Sequence, residues 1–283
     1  MAAAAVAADR VGLGWRGELA AGILSNLAQI EVLEVIADDY YRASRASLDA
    51  LRSLARQVPV SLHGVGMGLA STIPAEPRRL QAMARLMQQV AAESWSEHLS
   101  FVRAGGVEIG HLAAPPRTPA SAAGAIANIA LASRLVGSAP LMENIATLIE
   151  PPACTMDEAQ WLAQIIDGAQ VPLLLDLHNL YANAVNVGIG PEELLLRLPL
   201  ASVQAVHLSG GHWIAAPDGG QRLLDDHLHD VPPEVFALLT VLARHAPQPL
   251  TVIVERDGNY PSFEHVLGQL ELARAALRAG RAA

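Results

Sequence analysis

Short apolar segments alternate with longer amphipathic segments along most of the chain. The apolar segments read as nearly continuous runs, as in PLLL at residues 172–175. Runs of this kind are typical of parallel strands that are covered on both faces of a sheet. The pattern predicts eight strands, at residues 11–15, 32–37, 58–67, 97–102, 141–145, 172–179, 203–209 and 250–256.

The segments between these runs have the apolar spacing of helices, and several carry helix-start signals. Ser44 precedes a run with leucines on one face, and Thr155 with Glu158 three residues later has the pattern of a capping box. Prolines stand at the expected first turns of three others. The predicted helices cover residues 18–27, 44–57, 77–92, 119–135, 156–168, 191–196, 232–243 and 262–279.

Eight strand–helix units with a parallel signature predict a (β/α)8 TIM barrel. A doubly wound sheet is the main alternative, but no GxGxxG motif follows the first strand. Since no segment has the composition of a linker, residues 11–283 are predicted to form one domain after a disordered tail at residues 1–10. The longest irregular stretch, residues 209–223, is predicted to be a loop after the seventh strand.

Ionisable residues interrupt the apolar pattern near the ends of six successive predicted strands. The carboxyl ends of barrel strands converge on one face, where catalytic groups gather. Burying such groups is costly unless they are paired or bind a metal. The sequence therefore predicts a site rich in imidazole and carboxylate, built from His63, His98, Glu143, Asp176, His207 and Glu255.

Four further residues extend this set. His178 and Asn179 follow Asp176, while Asp225 and His227 lie beyond the seventh strand, in LLDDHLHDVP. Adjacent strand residues point to opposite faces, so at most one of His178 and Asn179 shares a face with Asp176, unless the strand has already ended or bulged.

The ligand types narrow the class of ion. Cys154 is the single cysteine, which excludes a thiolate cluster and leaves iron, manganese, zinc or cobalt. Some nine candidate ligands exceed what one tetrahedral ion needs, so two or three ions fit better, with Glu143 or Glu255 as a bridge. Mixed imidazole and carboxylate ligation with open positions suits non-haem iron and O2.

Charge and composition exclude several functions. The net charge of −9 argues against a nucleic-acid partner, which would need clustered cations. All 19 cations are arginine, and without lysine Schiff-base chemistry is excluded. No run of about 18 uninterrupted apolar residues predicts a membrane span, and the opening residues lack the cationic start of a signal peptide. The predicted location is the cytoplasm.

Seven blocks of this sequence resemble, in order, the multinuclear non-haem iron-dependent oxidases. This family was long filed as a domain of unknown function and includes the methanobactin-biosynthesis oxidase. The resemblance runs from about residue 11 to the eighth strand. The blocks are HGVGMGLAS, SEHLSF, MENI, LLLDLHNLYANAVNVG, VHLSGGH, DDHLHDVP and ERDGNYP.

The resemblance implies a xylose-isomerase-like TIM barrel that holds two or three irons in mixed valence and uses O2 as co-substrate. Members modify ribosomally made precursor peptides, commonly at cysteine and sometimes at aspartate or asparagine, and several work with a separate partner protein that presents the leader of the peptide. Many relatives have Asn where this chain has His178, which leaves the choice between His178 and Asn179 open. The implied ligands are His63, His98, Glu143, Asp176, Asn179, His207, Asp225, His227 and Glu255.

Two other functions compete with this interpretation. A zinc or manganese isomerase or hydrolase could use the same barrel, although the missing lysine weakens the isomerase. A metal-binding protein without catalysis is the second alternative, although every ligand position holds a residue able to bind metal. Outside the predicted site, His212 is a weaker candidate for substrate contact. The remaining histidines are predicted to lie in loops or helices without converging partners: His111, His229, His245 and His265.

Overall fold

Eight parallel strands close into a barrel in the computed structural model, which describes residues 8–217 and 219–283. Each strand pairs with the next one around the barrel, and the last closes on the first. The predicted (β/α)8 fold is confirmed. The barrel strands are β1 (Arg10–Gly14), β2 (Leu33–Ile36), β3 (Val60–Gly64), β4 (Ser94–His98), β7 (Leu141–Glu143), β8 (Leu173–Asp176), β9 (Val203–Leu208) and β12 (Thr251–Val254).

Two antiparallel hairpins lie outside the barrel in the described residues. One pairs β5 (Phe101–Ala104) with β6 (Val107–Ala113), and the other pairs β10 (Gly211–Ala215) with β11 (Gln221–Asp225). The prediction of a loop at residues 209–223 is therefore wrong. Nearly all side chains of these hairpins are exposed or half-buried, so their sequences lack the buried apolar runs that marked the barrel strands.

Helices surround the barrel. The predicted helix at residues 18–27 is broken, because short 3-10 turns flank α1 and only six residues are α-helical. Further 3-10 turns cover Ala37–Tyr40 and Leu200–Ser202. The α-helices of the described residues are α1 (Ala20–Ser25), α2 (Arg45–Ala55), α3 (Pro77–Val90), α4 (Pro119–Val136), α5 (Glu158–Ala169), α6 (Leu177–Val187), α7 (Pro191–Leu196), α8 (Pro233–His245) and α9 (Phe263–Arg281).

Helix caps follow the sequence signals in one case and shift in another. Ser44 caps α2, since its side chain accepts from the Ser47 backbone N–H, as the sequence predicts. The predicted capping box at Thr155 is wrong. Asp157 caps α5 with Gln160 as its partner, because the helix begins later and an Asp at that position supplies the cap.

Strand β8 ends at Asp176, three residues before the predicted end at 179. The Asp176 carboxylate accepts a hydrogen bond from the Asn179 backbone N–H at 2.7 Å and so caps α6. His178 and Asn179 therefore lie in the first turn of a helix. The rule that neighbours on a strand face opposite ways does not apply to them.

Other boundaries differ from the prediction as well; the third strand, for example, ends at Gly64 rather than at residue 67. The fourth barrel strand covers Ser94–His98 rather than 97–102, because the chain leaves the barrel after His98 to form β5. The tail predicted at 1–10 ends too late, since Arg10 is already in β1 and Asp9 accepts from the Leu250 backbone N–H at 2.8 Å. Residues 1–7 lie outside the described residues.

The main core lies between the barrel and its helices, where large side chains such as Trp95, Leu80 and Ile129 are fully buried. By length and composition alone, α4 is long and apolar enough to cross a membrane. In this fold α4 packs between α3 and α5, with Ala122, Ala125 and Ile129 buried, as a core helix of the barrel does.

Candidate metal centre

The predicted site residues converge at the carboxyl end of the barrel. His63, His98 and His207 lie on β3, β4 and β9, and Glu143 and Asp176 are the last residues of β7 and β8. Glu255 directly follows β12, and β11 ends at Asp225 just before His227. Because neighbouring strands are parallel and in register, their ends bring these side chains to one level; His98, for example, is paired with Glu143.

Glu143 stands at the centre of the group. Its Oε2 lies 3.5 Å from Nε2 of both His63 and His98, and its Oε1 lies 3.3 Å from His207 Nδ1. Ligand atoms bound to one ion at about 2.1 Å are separated by roughly 3.0–3.5 Å. The two oxygens of Glu143 therefore face two different places for an ion.

The second place lies between strands β7, β8, β9 and β12. His207 Nδ1 stands 3.1 Å from Glu255 Oε2, and ligand atoms of Glu143, Asp176 and His207 lie within 4.8 Å of one another. Glu143, Asp176, His207 and Glu255 are all less than 5% exposed. Such a buried group of three carboxylates and one imidazole has the composition of a hard-to-borderline metal site.

Asp225 and His227 form the third part. His227 Nε2 lies 3.0 Å from Asp225 Oδ2, and its Nδ1 lies 3.6 Å from Glu255 Oε2. The backbone of His227 has φ of +56°, in the left-handed region that non-glycine residues rarely adopt. This strained backbone holds the imidazole toward the cavity, and strain of this kind is typical of functional positions.

His178 and Asn179 take different places. His178 Nδ1 bonds Asp225 Oδ1 at 2.8 Å, and its ring packs against Gly211, where an added Cβ would stand 2.7 Å from His178 Cε1. Asn179 instead lines the cavity above Glu143, and its Nδ2 donates to the Asn144 carbonyl at 3.0 Å. Asn179 thus lines the cavity, whereas Nδ1 of His178 is directed at Asp225.

Several buried polar atoms of this group have no hydrogen-bond partner within the described part of the chain. Buried polar atoms without partners are rare in folded proteins, and each needs an explanation such as a bound water or ion. Their concentration in one place fits bound cations. They are Glu143 Oε2, Asp176 Oδ2, His178 Nε2, Asn179 Oδ1, both ring nitrogens of His207, and His227 Nδ1.

The pKa values of the buried carboxylates in this group are shifted in opposite directions. Burial raises the pKa of Asp176 well above its usual value, and the nearby charges of Asp225 and Glu143 raise it further. Burial also opposes ionisation of Glu143, but the imidazoles of His98 and His207 outweigh it and lower its pKa. A bound cation would allow all of these carboxylates to ionise together.

Two buried residues that the sequence reasoning missed support the histidines from below. Glu34 Oε1 of β2 stands 2.9 Å from His207 Nε2, and Ser96 Oγ bonds His63 Nδ1 at 2.7 Å. Metal-binding histidines commonly direct their second nitrogen to such partners, which fix the orientation of the ring. The signal for Glu34 was present, because it interrupts the apolar run VLEVIA of a buried strand.

Arg16 and Asp257 were also missed. Arg16 Nε donates to Asp257 Oδ1 at 2.6 Å, and Asp257 Oδ2 lies 3.3 Å from His227 Nδ1. Burial opposes the charge of Arg16, but Glu255 and Asp257 outweigh it and raise its pKa. Arg16 follows β1 and is remote in sequence from Glu255, so nearness along the chain gave no sign of this contact.

A cavity of about 570 Å³ opens above the group. His63, His98, Glu143 and Asn179 form part of its floor. Its walls are largely apolar, and the larger wall residues are Leu112, Leu148, Ile149, Pro151, Pro152, Leu223 and Leu224. A cavity of this size holds several side chains of a ligand, above a polar floor.

Two of the histidines expected to have no partners are placed otherwise. His111 lies on β6 and lines the cavity, so its prediction in a loop or helix is wrong. His229 lies beside His212 and Asp226, so its prediction without converging partners is wrong as well. The predictions for His111 and His229 failed for the same reason. The two hairpins that bring these residues into place were not predicted.

The sequence profile of one protein family matches residues 10–278, nearly the whole chain. The family is described as the RiPP precursor modification enzyme MbnB/TglH/ChrH, where RiPP denotes a ribosomally synthesised and post-translationally modified peptide.

Similar curated proteins carry the uninformative description UPF0276 protein. One from Streptomyces avermitilis is 34% identical over 274 residues, and the match covers 94% of this chain and 54% of that relative. This chain thus spans about half the length of that relative. One from Bordetella bronchiseptica is 31% identical over 274 residues and covers 96% of this chain and 94% of the relative.

Solved structures with a similar fold are sugar-isomerase-like barrels. An L-ribulose 3-epimerase superposes with a TM-score of 0.61 at 13% identity, covering 97% of this chain and 96% of the other. A xylose isomerase domain containing protein from Salmonella typhimurium superposes with a TM-score of 0.61 at 13% identity, covering 98% and 100%. At this identity the likeness establishes the xylose-isomerase-like barrel alone.

Proposed function

Because the chain belongs to the MbnB/TglH/ChrH family of RiPP precursor modification enzymes, we propose that it is an iron- and O2-dependent oxidase acting on a precursor peptide. We define the ligand cluster as the group that would hold the iron. It consists of His63, His98, Glu143, Asp176, Asn179, His207, Asp225, His227 and Glu255.

One observation carries this proposal, namely the unpartnered ligand atoms gathered around Glu143 on the floor of the cavity. Nitrogen and carboxylate oxygen atoms at 3.0–3.6 Å from one another suit ions placed between them. Imidazole with carboxylate, without thiolate, is the ligand set of non-haem iron sites that activate O2.

We propose that the ligand cluster holds roughly two to three ions, a number that the spacing of the ligand atoms around Glu143 supports. His63, His98 and Glu143 would hold the first ion, and Glu143, Asp176, His207 and Glu255 would hold a second. Asp176, His227 and Glu255, whose ligand atoms lie within 4.8 Å of one another, would hold a third, with Asp225 beside His227. When bound, iron supplies one-electron redox chemistry and positions for O2 and substrate.

The residues of the chain prepare the surroundings of this chemistry. Glu34 and Ser96 hold the rings of His207 and His63, and apolar side chains form much of the cavity wall above them. Asp257, itself held by Arg16, faces His227 and so orients its ring. No side chain needs to act as a nucleophile in this arrangement.

The modified group would enter the cavity from the peptide. We propose cysteine as the main target and aspartate or asparagine as the alternative, since a thiolate or carboxylate can bind an iron at an open position. A separate partner protein that presents the leader of the peptide is a further proposal. The cytoplasm is the proposed location, because ribosomal precursor peptides are made there.

Oxygen uptake tests this function directly. The iron-loaded chain is mixed with a cysteine-containing precursor peptide encoded beside its gene, with and without neighbouring gene products. We expect O2 uptake that requires the peptide, together with a mass change of the peptide that a Cys→Ala peptide does not show. Peptide turnover without O2, or with zinc in place of iron, would instead support an isomerase or hydrolase.

A further inference from the structure

A second group of side chains of the kinds that bind metals lies outside the ligand cluster, at the base of the β10–β11 hairpin. His212 belongs to β10, and Asp226 and His229 follow β11. His212 Nδ1 stands 2.7 Å from Asp226 Oδ2, and His229 Nδ1 stands 3.0 Å from Asp226 Oδ1. The two imidazole rings are 5.2 Å apart.

The two imidazoles flank one carboxylate, one at each of its oxygens. One ligand atom from each of the three residues lies within 4.8 Å of the others. The His229 Nδ1–Asp226 Oδ1 distance of 3.0 Å matches the spacing of roughly 3.0–3.5 Å between neighbouring ligands of one ion, whereas the shorter contact of His212 Nδ1 with Asp226 Oδ2, at 2.7 Å, is a hydrogen bond. The Leu228 backbone N–H donates to Asp226 Oδ1 at 2.9 Å and helps to fix the carboxylate.

The orientation of Asp226 separates this group from the ligand cluster. Its chain neighbours Asp225 and His227 both line the large cavity, whereas Asp226 does not and instead faces the hairpin. The side chain of Asp226 is 11% exposed, and those of His212 and His229 are 44% and 47% exposed. Solvent therefore reaches the two histidines at the outer surface of the hairpin.

We propose that His212, Asp226 and His229 form a separate site for a borderline divalent cation such as Zn²⁺. Two imidazoles and one carboxylate, without a thiolate, are a common ligand set for this ion, and water from the exposed side completes the coordination. The bound ion joins β10 to the segment after β11. It thereby fixes the hairpin next to the segment that carries Asp225 and His227.

Zinc binding by the full, iron-loaded chain tests this proposal. Wild type and the double variant His212→Ala/His229→Ala are dialysed against equal free Zn²⁺, and zinc and iron are counted by mass spectrometry. The control is His265→Ala, which removes an equally exposed histidine paired with Asp230 at 2.8 Å. We expect the double variant to bind one zinc fewer than wild type, with unchanged iron, and the control to match wild type.

Three results would overturn the proposal. Equal zinc in wild type and double variant would show that the three residues bind none, and an equal loss in the control would show nonspecific surface binding. Zinc and iron lost together would show that the site is not separate. As a second readout, Zn²⁺ should raise the Tm of wild type and control but not of the double variant. None of these readouts depends on oxidase activity.

Discussion

At the scale of single residues, Glu143 is the residue on which the ligand cluster depends most. One of its oxygens faces His63 and His98, and the other faces His207. A carboxylate placed in this way can bind two ions, and its negative charge attracts both cations. The neutral amide of a glutamine has the same shape but lacks this charge.

Glu143→Gln should therefore lose at least one metal ion per chain. The control is Glu158→Gln, since the side chain of Glu158 is only 14% exposed but contacts Asn183 and Arg117 rather than the ligand cluster. Metal content is measured on both variants after identical iron loading, with circular dichroism as a check of folding. Full metal content in a folded Glu143→Gln chain would refute the bridging assignment.

Glu34 acts on the ion through His207. Glu34→Gln keeps the shape of the side chain at His207 Nε2 but removes the charge that orients the ring. Changes of such supporting partners lower metal affinity by about 10- to 100-fold, and we expect that loss here. Chelator competition measures it, with Glu93→Gln as control, because Glu93 pairs with Arg10 at the other end of the barrel. Unchanged affinity in Glu34→Gln would show that Glu34 does not support the site.

At the scale of elements, the two hairpins and the cap of α6 complete a site that the barrel strands begin. β6 brings His111 to the cavity, and β11 ends at Asp225. Asp176 is at once the end of β8 and the cap of α6, so the chain turns where Asn179 reaches the cavity floor. The elements outside the barrel therefore determine the upper half of the site.

The sequence predicted the barrel and most of the ligand cluster for a physical reason. His63, Glu143 and His207 interrupt buried apolar runs, and that contrast is visible without coordinates. The hairpins were not predicted because their strands are exposed or half-buried, so their sequences carry no such contrast. Contacts between segments that are far apart in the sequence, such as that of Arg16 with Asp257, leave no local sequence pattern.

Two glycines of α9 allow a matched test of how this helix packs on α8. A Cβ at Gly268 would meet nothing within 4 Å, whereas a Cβ at Gly280 would stand 2.6 Å from the Ala243 Cβ of α8. Gly268→Ala should stabilise the protein by about 0.5–1 kcal/mol, through helix propensity. Gly280→Ala should destabilise it by about 1–3 kcal/mol, because the helices must separate. Urea unfolding measures both, and equal effects would contradict the packing of α8 on α9.

At the scale of the whole molecule, contacts between the two ends of the described chain close the barrel. The Asp9 carboxylate, just before β1, accepts from the Leu250 backbone N–H at 2.8 Å and from Arg281 at 2.7 and 2.9 Å. Burial raises the pKa of Asp9, but the hydrogen bonds from Arg281 and Leu250 outweigh it and lower the pKa. The ionised form is therefore favoured in the folded state.

This contact predicts a pH dependence. Because the folded pKa lies below the unfolded value of about 3.9, the stabilisation is present above that value and is lost as the pH falls through the folded pKa. Asp9→Asn should cost about 1–2 kcal/mol at pH 7. The difference between variant and wild type, measured by urea unfolding, should shrink below about pH 4. A difference that stays constant from pH 7 to pH 3 would contradict the role of the charge.

In the whole fold, the large cavity lies over the ligand cluster. The proposed oxidase requires iron in this cluster, so the identity of the bound metal is its most direct test. The full chain is purified without added metal, and its metal content, EPR spectrum and visible spectrum are recorded on one sample. We predict roughly two to three irons per chain, with a ferric or mixed-valence signal. Zinc or manganese without iron, even after anaerobic iron loading, would contradict the oxidase and favour an isomerase or hydrolase.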